Sequence, residues 1–269
     1  NLDNPIFKII YKYFKQKELD FLKVSAHVIS LTHAAKAELL SWNVITADKI
    51  QVIPCCADLV HFNIPSIDKR REVRKLLGLV ESDLVFSYIG SLGTWYMVDE
   101  MLDLFQRIKT TYPQSKLLLI TTHTQQEIKQ YLSQTQIHPN DVILKSGTRV
   151  EMPLLIAASD ISMFFVRPTF SKKASSPTKM AEIMGCGLPI ICNTDIGDVE
   201  EIVTDTQCGY CTADFSKTSK DEIIRNIPNL LALDPIKIRE GALKYFSLDE
   251  GIQKYNNVYL SVASCVKEK

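Results

Sequence analysis

The chain has 269 residues, with 31 Lys and Arg balancing 31 Asp and Glu, and 46% of its residues are hydrophobic. A zero formal charge provides no global field to recruit nucleic acid or anionic lipid, and no apolar run approaches the roughly eighteen residues that span a bilayer. The length suits one large or two ordinary domains with an ample core.

Residues 1–8 do not make a secretory leader and read as a chain entered in mid-course. The stretch from Ile6 to Lys17 is basic and amphipathic, and two readings stand for it: a membrane-surface helix, or a helix covering part of a first domain. The second is preferred. A strand follows over 28–31, Thr32 caps a helix running through 35–40, and a second strand over 49–54 is ended by Pro54. The irregular polar stretch 55–71 reads as an interdomain linker.

A new series then begins. It comprises a helix over 69–77, a strand over 84–89, a glycine turn at 90–93, a helix around 98–109 and a strand over 117–120. Next come a helix near 125–132, a strand over 142–144, a helix over 153–158, and strands over 161–165 and 188–192. Helices over 221–230, 235–245 and 248–262 close the chain. Alternating strands and helices predict an α/β fold with a parallel sheet covered on both faces, its ligands meeting the carboxyl ends of the strands. There is no internal repeat or low-complexity segment.

The most informative stretch runs from Ser175 to Ile191. It reads as a phosphate-binding loop that opens directly into a helix, with Ser176 as N-cap and Pro177 at the first helical position. Exposed amides and the helix dipole bind anions there, through Ser175, Ser176, Pro177, Thr178 and Lys179. Glu182, about one and a half turns in, can accept hydrogen bonds from ribose hydroxyls. Phosphate plus ribose indicates a nucleotide. The plainer reading of Lys179 and Glu182 is an exposed charge pair three residues apart.

Other residues point to less. The seven cysteines are odd in number, and Cys208 and Cys211 have metal-ligand spacing without a second pair, so reduced thiols and no metal are expected. The five histidines show no triad or metal spacing, and no Asp-x-Asp occurs to hold a divalent ion on a nucleotide sugar. Gly90, Ser91 and Gly93 either form a plain strand-to-helix turn or admit a diphosphate. Lys172 and Lys173 are solvated loop charges or phosphate ligands. Trp95 and Tyr96 stack on a ligand or pack on their own domain.

Several motifs now stand in order: 49–58 leading out of the second strand; Gly90-Ser91-Leu92; 150–155 with 158–161; Ser176-Pro177-Thr178-Lys179, Glu182 and Gly187-Leu188-Pro189; and 197–203 leading to Gly209. Together they resemble the C-terminal half of bacterial family 4 (group 1) glycosyltransferases, nucleotide-sugar-dependent retaining enzymes of the GT-B fold, over about residues 29 to 259. The resemblance implies a Rossmann-like domain at 57–247 that binds the nucleotide sugar. A remnant of the N-terminal Rossmann-like acceptor domain and linker would occupy 1–56, and a helix at 248–269 would cross back to it. Most of the acceptor domain is expected to precede Asn1.

It further implies that Glu182 holds the ribose and that Ser176, Thr178 and Lys179 hold the diphosphate. Gly90, Ser91 and Leu92 border the diphosphate, while Arg149, Val150 and Leu155 lie over the base. Lys179 would stabilise the leaving phosphate. Gly209 falls at a turn glycine of the family. Three departures stand out: Ala174 replaces an expected glutamate, Ser91 and Tyr96 fall where an arginine and a lysine are common, and most of the N-terminal acceptor domain is expected to be absent before Asn1. Charge compensation would then come from Arg167, Lys172, Lys173 or Lys179.

The implied activity is metal-independent transfer of a hexose-type sugar from a nucleoside-diphosphate-sugar to a hydroxyl of a carbohydrate or lipid-linked acceptor, in polysaccharide or glycoconjugate synthesis. No nucleic-acid partner is expected. The expected location is cytoplasmic, extending to the inner face of the membrane. Two alternatives remain open: a non-catalytic nucleotide-sugar-binding module, and a sugar-nucleotide epimerase on the same fold.

Overall fold

A computed structural model describes residues 4–267, with side chains through 264. Asn1–Asp3 of the stretch weighed as a leader, and 268–269 of the final segment, lie outside the described residues. The chain opens with α1 (Pro5–Val24), then β1 (Val28–Ser30), α2 (His33–Ser41) and β2 (Ile50–Val52). It continues through α3 (Ile67–Leu76), β3 (Leu84–Ile89), α4 (Val98–Thr111), β4 (Ser115–Ile120), α5 (Gln125–Leu132) and β5 (Val142–Lys145). The second half holds α6 (Met152–Ala157), β6 (Ile161–Met163), α7 (Thr178–Gly185), β7 (Ile190–Asn193), α8 (Val199–Thr206) and β8 (Gly209–Thr212). The chain ends with α9 (Lys217–Leu231), α10 (Pro235–Phe246) and α11 (Leu248–Lys267).

β3 is buried at every position, as a strand covered on both faces must be. It pairs in parallel with β4 on one side and β6 on the other, within a six-stranded sheet of order β5-β4-β3-β6-β7-β8. The chain winds outward from β3 to β5, then returns to lay β6 against β3. That reversal opens a crevice between the carboxyl ends of β3 and β6, the place where such sheets bind ligands. Gly90 ends β3 at the crevice, and the segment after β6 reaches it from the other side. β1 and β2 form a separate parallel pair.

Polar groups tie the layers together. The Asp160 carboxylate accepts from Arg70 at 2.5 Å and from the Val85 amide at 2.7 Å, joining α3 to the start of β3 and β6. The Arg239 guanidinium of α10 donates to the carbonyls of Phe62 at 2.7 Å and Gly185 at 2.6 Å, and also to that of Leu59. α7 is therefore anchored at its C-terminal end, and its Met180, Ala181, Ile183 and Met184 are fully buried. Gly251 of α11 sits against Cys56 and Ile53, just beyond β2.

Four sequence expectations change. α7 begins at Thr178, with extended Pro177 at the cap position and no side-chain cap. Ser176 is not the cap, because its hydroxyl accepts the Cys55 amide at 3.1 Å instead. Gly209 is not in a turn but opens β8 opposite Ile190, a short strand whose half-exposed residues hid it. The strand at 161–165 stops at Met163, because the backbone of Phe165 turns to accept Met97 N–H and Val166 bridges Tyr96 in the antiparallel sense. Finally, α9 starts four residues earlier than expected, capped by Ser216, and accommodates Pro228 in its last turns.

Candidate functional site

The segment from Lys172 to Lys179 curves around a cavity of about 380 Å³, lined also by Tyr96, Val166 and Ile196. Ser175, Ser176, Pro177, Thr178 and Lys179 all face it. Met180 N–H already bonds the Pro177 carbonyl, whereas the amides of Thr178 and Lys179 have no acceptor among the described residues. An open helix start above a cavity is the arrangement that takes an oxyanion.

Lys179 projects across the crevice to β3. Its Nζ is shielded from solvent and has no hydrogen-bond partner. The ammonium lies 3.7 Å from the centroid of the Tyr96 ring and 4.9 Å from that of Tyr88. Gly90 has a φ of +125°, which calls for glycine, and a Cβ there would come within 2.8 Å of the Lys179 ammonium and push that side chain aside. Burial pulls the Lys179 ammonium down to about 7, and Glu182 opposes the shift.

Glu182 is half-buried on the same helix, and burial pushes its carboxyl upward against the fields of Arg149, Lys179 and His61. It does not line the 380 Å³ cavity. The fields it feels from Arg149 and His61 come from the 146–151 turn and its partner, where His61 Nε2 donates to the Arg149 carbonyl at 2.8 Å. This contact fixes the imidazole tautomer with its proton on Nε2. Sequence reasoning did not single out His61, because its partner is distant in the chain.

The remaining candidates fall in two groups. Arg149 and Val150 are exposed on the 146–151 turn, and Val150 is 78% exposed. Leu155 is buried in α6, with its side chain against Gly147, and so supports this turn from below. Ser91 is exposed beside Gly90, and its carbonyl accepts from the buried Tyr88 hydroxyl. The Leu92 side chain is in the core and its amide already donates to His123 Nε2 at 3.0 Å, so it has no free donor for a phosphate.

The cations divide as well. Lys173 pairs with Glu38 of α2 at 2.8 Å. Lys172 lies 4.3 Å over the Trp95 ring and lines the cavity. Arg167 is exposed. Beyond the 170–174 turn lies a larger cavity, about 600 Å³, walled by α2 with Glu38 and Ser41 and by Thr169, Phe170, Lys173 and Asp195.

Among the described side chains six cysteines are free thiols, with Cys186, Cys192 and Cys208 buried and Cys55, Cys56 and Cys211 partly so. Burial pushes Cys186 up to about 12 and Cys208 up to about 11, so neither is a nucleophile at neutral pH. Among the described residues no group of three or more His, Cys, Asp or Glu is placed to hold a metal ion. None of their helices is long and apolar enough to cross a membrane.

Comparison with known proteins supplies the context. The profile of the family described as glycosyl transferases group 1 matches residues 69–240. A UDP-Gal:alpha-D-GlcNAc-diphosphoundecaprenol alpha-1,3-galactosyltransferase of Escherichia coli is 26% identical over 188 residues, 68% of this chain and 46% of its own. The chain thus spans about half the length of that relative. Sucrose-phosphate synthase from Thermosynechococcus elongatus superposes with a TM-score of 0.71 at 17% identity, over 92% of this chain and 61% of its own. Anabaena HepE in complex with UDP and glucose gives 0.69 at 18% identity, over 94% and 68%. These structural likenesses show the fold, an α/β architecture of GT-B type.

Proposed function

Because the chain belongs to the group 1 glycosyl transferases, we propose that it forms the donor side of a retaining glycosyltransferase, moving a sugar from a nucleoside diphosphate to a hydroxyl acceptor. The observation that carries this reading is the unpartnered Lys179 ammonium at an open helix start, with Glu182 on the next turn of the same helix. In this reading the amides of Thr178 and Lys179 and the Ser175 and Ser176 region hold the diphosphate. Glu182 takes the ribose hydroxyls, and the turn carrying Arg149 and Val150 covers the base. Gly90 and Ser91 border the phosphates. Lys179 stabilises charge growing on the leaving phosphate, and the departing diphosphate accepts the acceptor's proton, with no protein nucleophile and no metal.

The acceptor enters from the 600 Å³ cavity beside α2, on the other side of the 170–174 turn. The E. coli relative, by its name, uses UDP-Gal and a diphosphoundecaprenol acceptor, and HepE was crystallised with UDP, so UDP is the nucleotide to try first. A lipid-linked acceptor in polysaccharide or glycoconjugate synthesis suits a location in the cytoplasm at the inner membrane face. The exposed Ile6, Ile9 and Phe14 of α1, interleaved with Lys8, Lys12 and Lys15, support peripheral attachment there. The domain division in this reading is 1–56 for the acceptor-domain portion, 57–247 for the donor domain and 248–269 for the returning helix, whose Gly251 rests on Cys56.

Titration of the chain with UDP, GDP and ADP tests the donor site, and a UDP-sugar hydrolysis and transfer assay tests the chemistry. Saturable binding of one diphosphate, weakened in Glu182→Ala, is the expected result. Absence of binding to all three overturns the reading. Binding without turnover restricts this polypeptide to nucleotide-sugar capture, and an altered sugar released without acceptor would mark an epimerase.

A further inference from the structure

A buried ammonium carries three N–H donors and a full charge, and in a folded interior it almost always has a carboxylate or a set of carbonyls around it. Lys179 has neither. Its surroundings are instead two aromatic faces: Tyr96 at 3.7 Å and Tyr88 at 4.9 Å, packed edge to face with centroids 6.0 Å apart at 74°. Resting on the nucleotide reading above, we propose that Tyr88 and Tyr96 form an aromatic box that stores Lys179 over Gly90 without a protein counter-anion, so that the donor's diphosphate becomes its anion and nucleotide binding takes up a proton.

The box is built rigidly. Tyr88 lies on β3, fully buried, with its hydroxyl donating to the Ser91 carbonyl. Tyr96 N–H bonds the Gly93 carbonyl, and the residue bridges Val166. On either side, Met97 N–H bonds the Phe165 carbonyl at 3.0 Å and Arg167 N–H bonds the Trp95 carbonyl at 2.8 Å. The ring is therefore zipped to the end of β6 and keeps its face toward the lysine.

Ring quadrupoles attract a cation but are weaker than a fixed charge. The other groups facing Lys179 are few. Glu182 on α7 favours the charged form through space without a hydrogen bond, and is itself compensated by Arg149 and His61. Lys172, across the cavity on the 170–174 turn, is of like charge and is held over Trp95. Burial outweighs these, which is why Lys179 sits near 7 rather than at its ordinary value. A diphosphate in the cavity restores the missing anion and returns the lysine to its charged state.

The test is calorimetric titration of the full chain with UDP, with GDP and ADP in parallel, at about pH 8.5 in two buffers of different ionisation enthalpy. The expected uptake is close to one proton per nucleotide bound, with affinity falling roughly tenfold per pH unit above about 7. Lys179→Met should bind more weakly with no uptake. Tyr96→Phe should keep the wild-type pH midpoint of affinity, and Tyr96→Leu should move it down by about half a pH unit or more. Nucleotide binding without proton uptake, or uptake that persists in Lys179→Met, overturns the box and leaves the nucleotide reading standing. A midpoint unchanged in Tyr96→Leu does the same. Failure of all three nucleotides to bind removes both.

Discussion

The Asp198 carboxylate accepts the backbone N–H of His33 at 2.6 Å and that of Ala34 at 2.9 Å, so a residue just before α8 caps the start of α2, more than 160 positions away. Thr32 adds a second tie, donating to the Lys173 carbonyl at 2.5 Å, and Gly197 leaves no room for a side chain between Ser175 and Thr32. The β1–α2 unit is thereby joined to the same turn that lines the 380 Å³ cavity. Replacing Asp198 with Ala should lower stability by about 1–2 kcal/mol, the usual loss for a capping carboxylate, and urea unfolding would measure it. Proteolysis should become faster in the 25–60 region. An unchanged midpoint would show that the two ties are redundant.

Glu182→Ala should weaken nucleotide binding by about 1–3 kcal/mol by leaving ribose hydroxyls without a charged acceptor. Deoxyribose analogues sharpen the measurement. The wild type should discriminate against them, and the variant should not. Equal affinity of wild type and variant for the ribonucleotide would remove Glu182 from the site.

Lys179→Met should stabilise the protein while impairing it. The folded state holds this lysine near 7, and the unfolded chain holds it near 10.5. Between those values the unfolded state binds more protons, so native stability rises with pH across that window. The penalty is fully present below about 7 and gone above about 10.5. Removing the charge should therefore gain on the order of 2–4 kcal/mol at neutral pH and almost nothing at pH 11. Thermal unfolding at the two pH values tests the sign. In the same reading Lys179→Ala should depress turnover more than donor affinity, and equal losses would assign it a plain anchoring role.

Gly209 supplies a test of the fold. A Cβ there would be driven into the backbone carbonyl of Ile190 on the paired strand, and backbone held in a ladder cannot yield as a side chain does. Gly209→Ala should lose about 2–4 kcal/mol. A loss within about half a kcal/mol would mean that the β7–β8 register differs.

Much of this arrangement is legible in the residues. The run at 117–120 is wholly apolar and that at 84–89 nearly so, interrupted only by Ser87 and the Tyr88 hydroxyl, because both faces of their strands are covered. The Thr178–Lys179–Glu182 spacing likewise places its groups on a helix start without any knowledge of the fold. What could not be read depends on distant partners. Ser176 has the local credentials of an N-cap, but Cys55, 121 residues away, claims its hydroxyl. His61 and Arg149 meet only because the linker folds back beneath α7. Gly209 is required by the opposing Ile190 carbonyl rather than by its own φ, so no local signal distinguishes it from a turn glycine.

The guanidinium of Arg239 holds α7 by the carbonyl at its far end, along with two carbonyls of the 59–62 loop. The helix is thus clamped at its rear, and the 164–177 segment that leads into its muzzle is itself tied down at Lys172, Lys173 and Ser176. In the reading proposed above, a nucleotide sugar would meet a seat already set at both ends rather than one that recoils to suit its cargo.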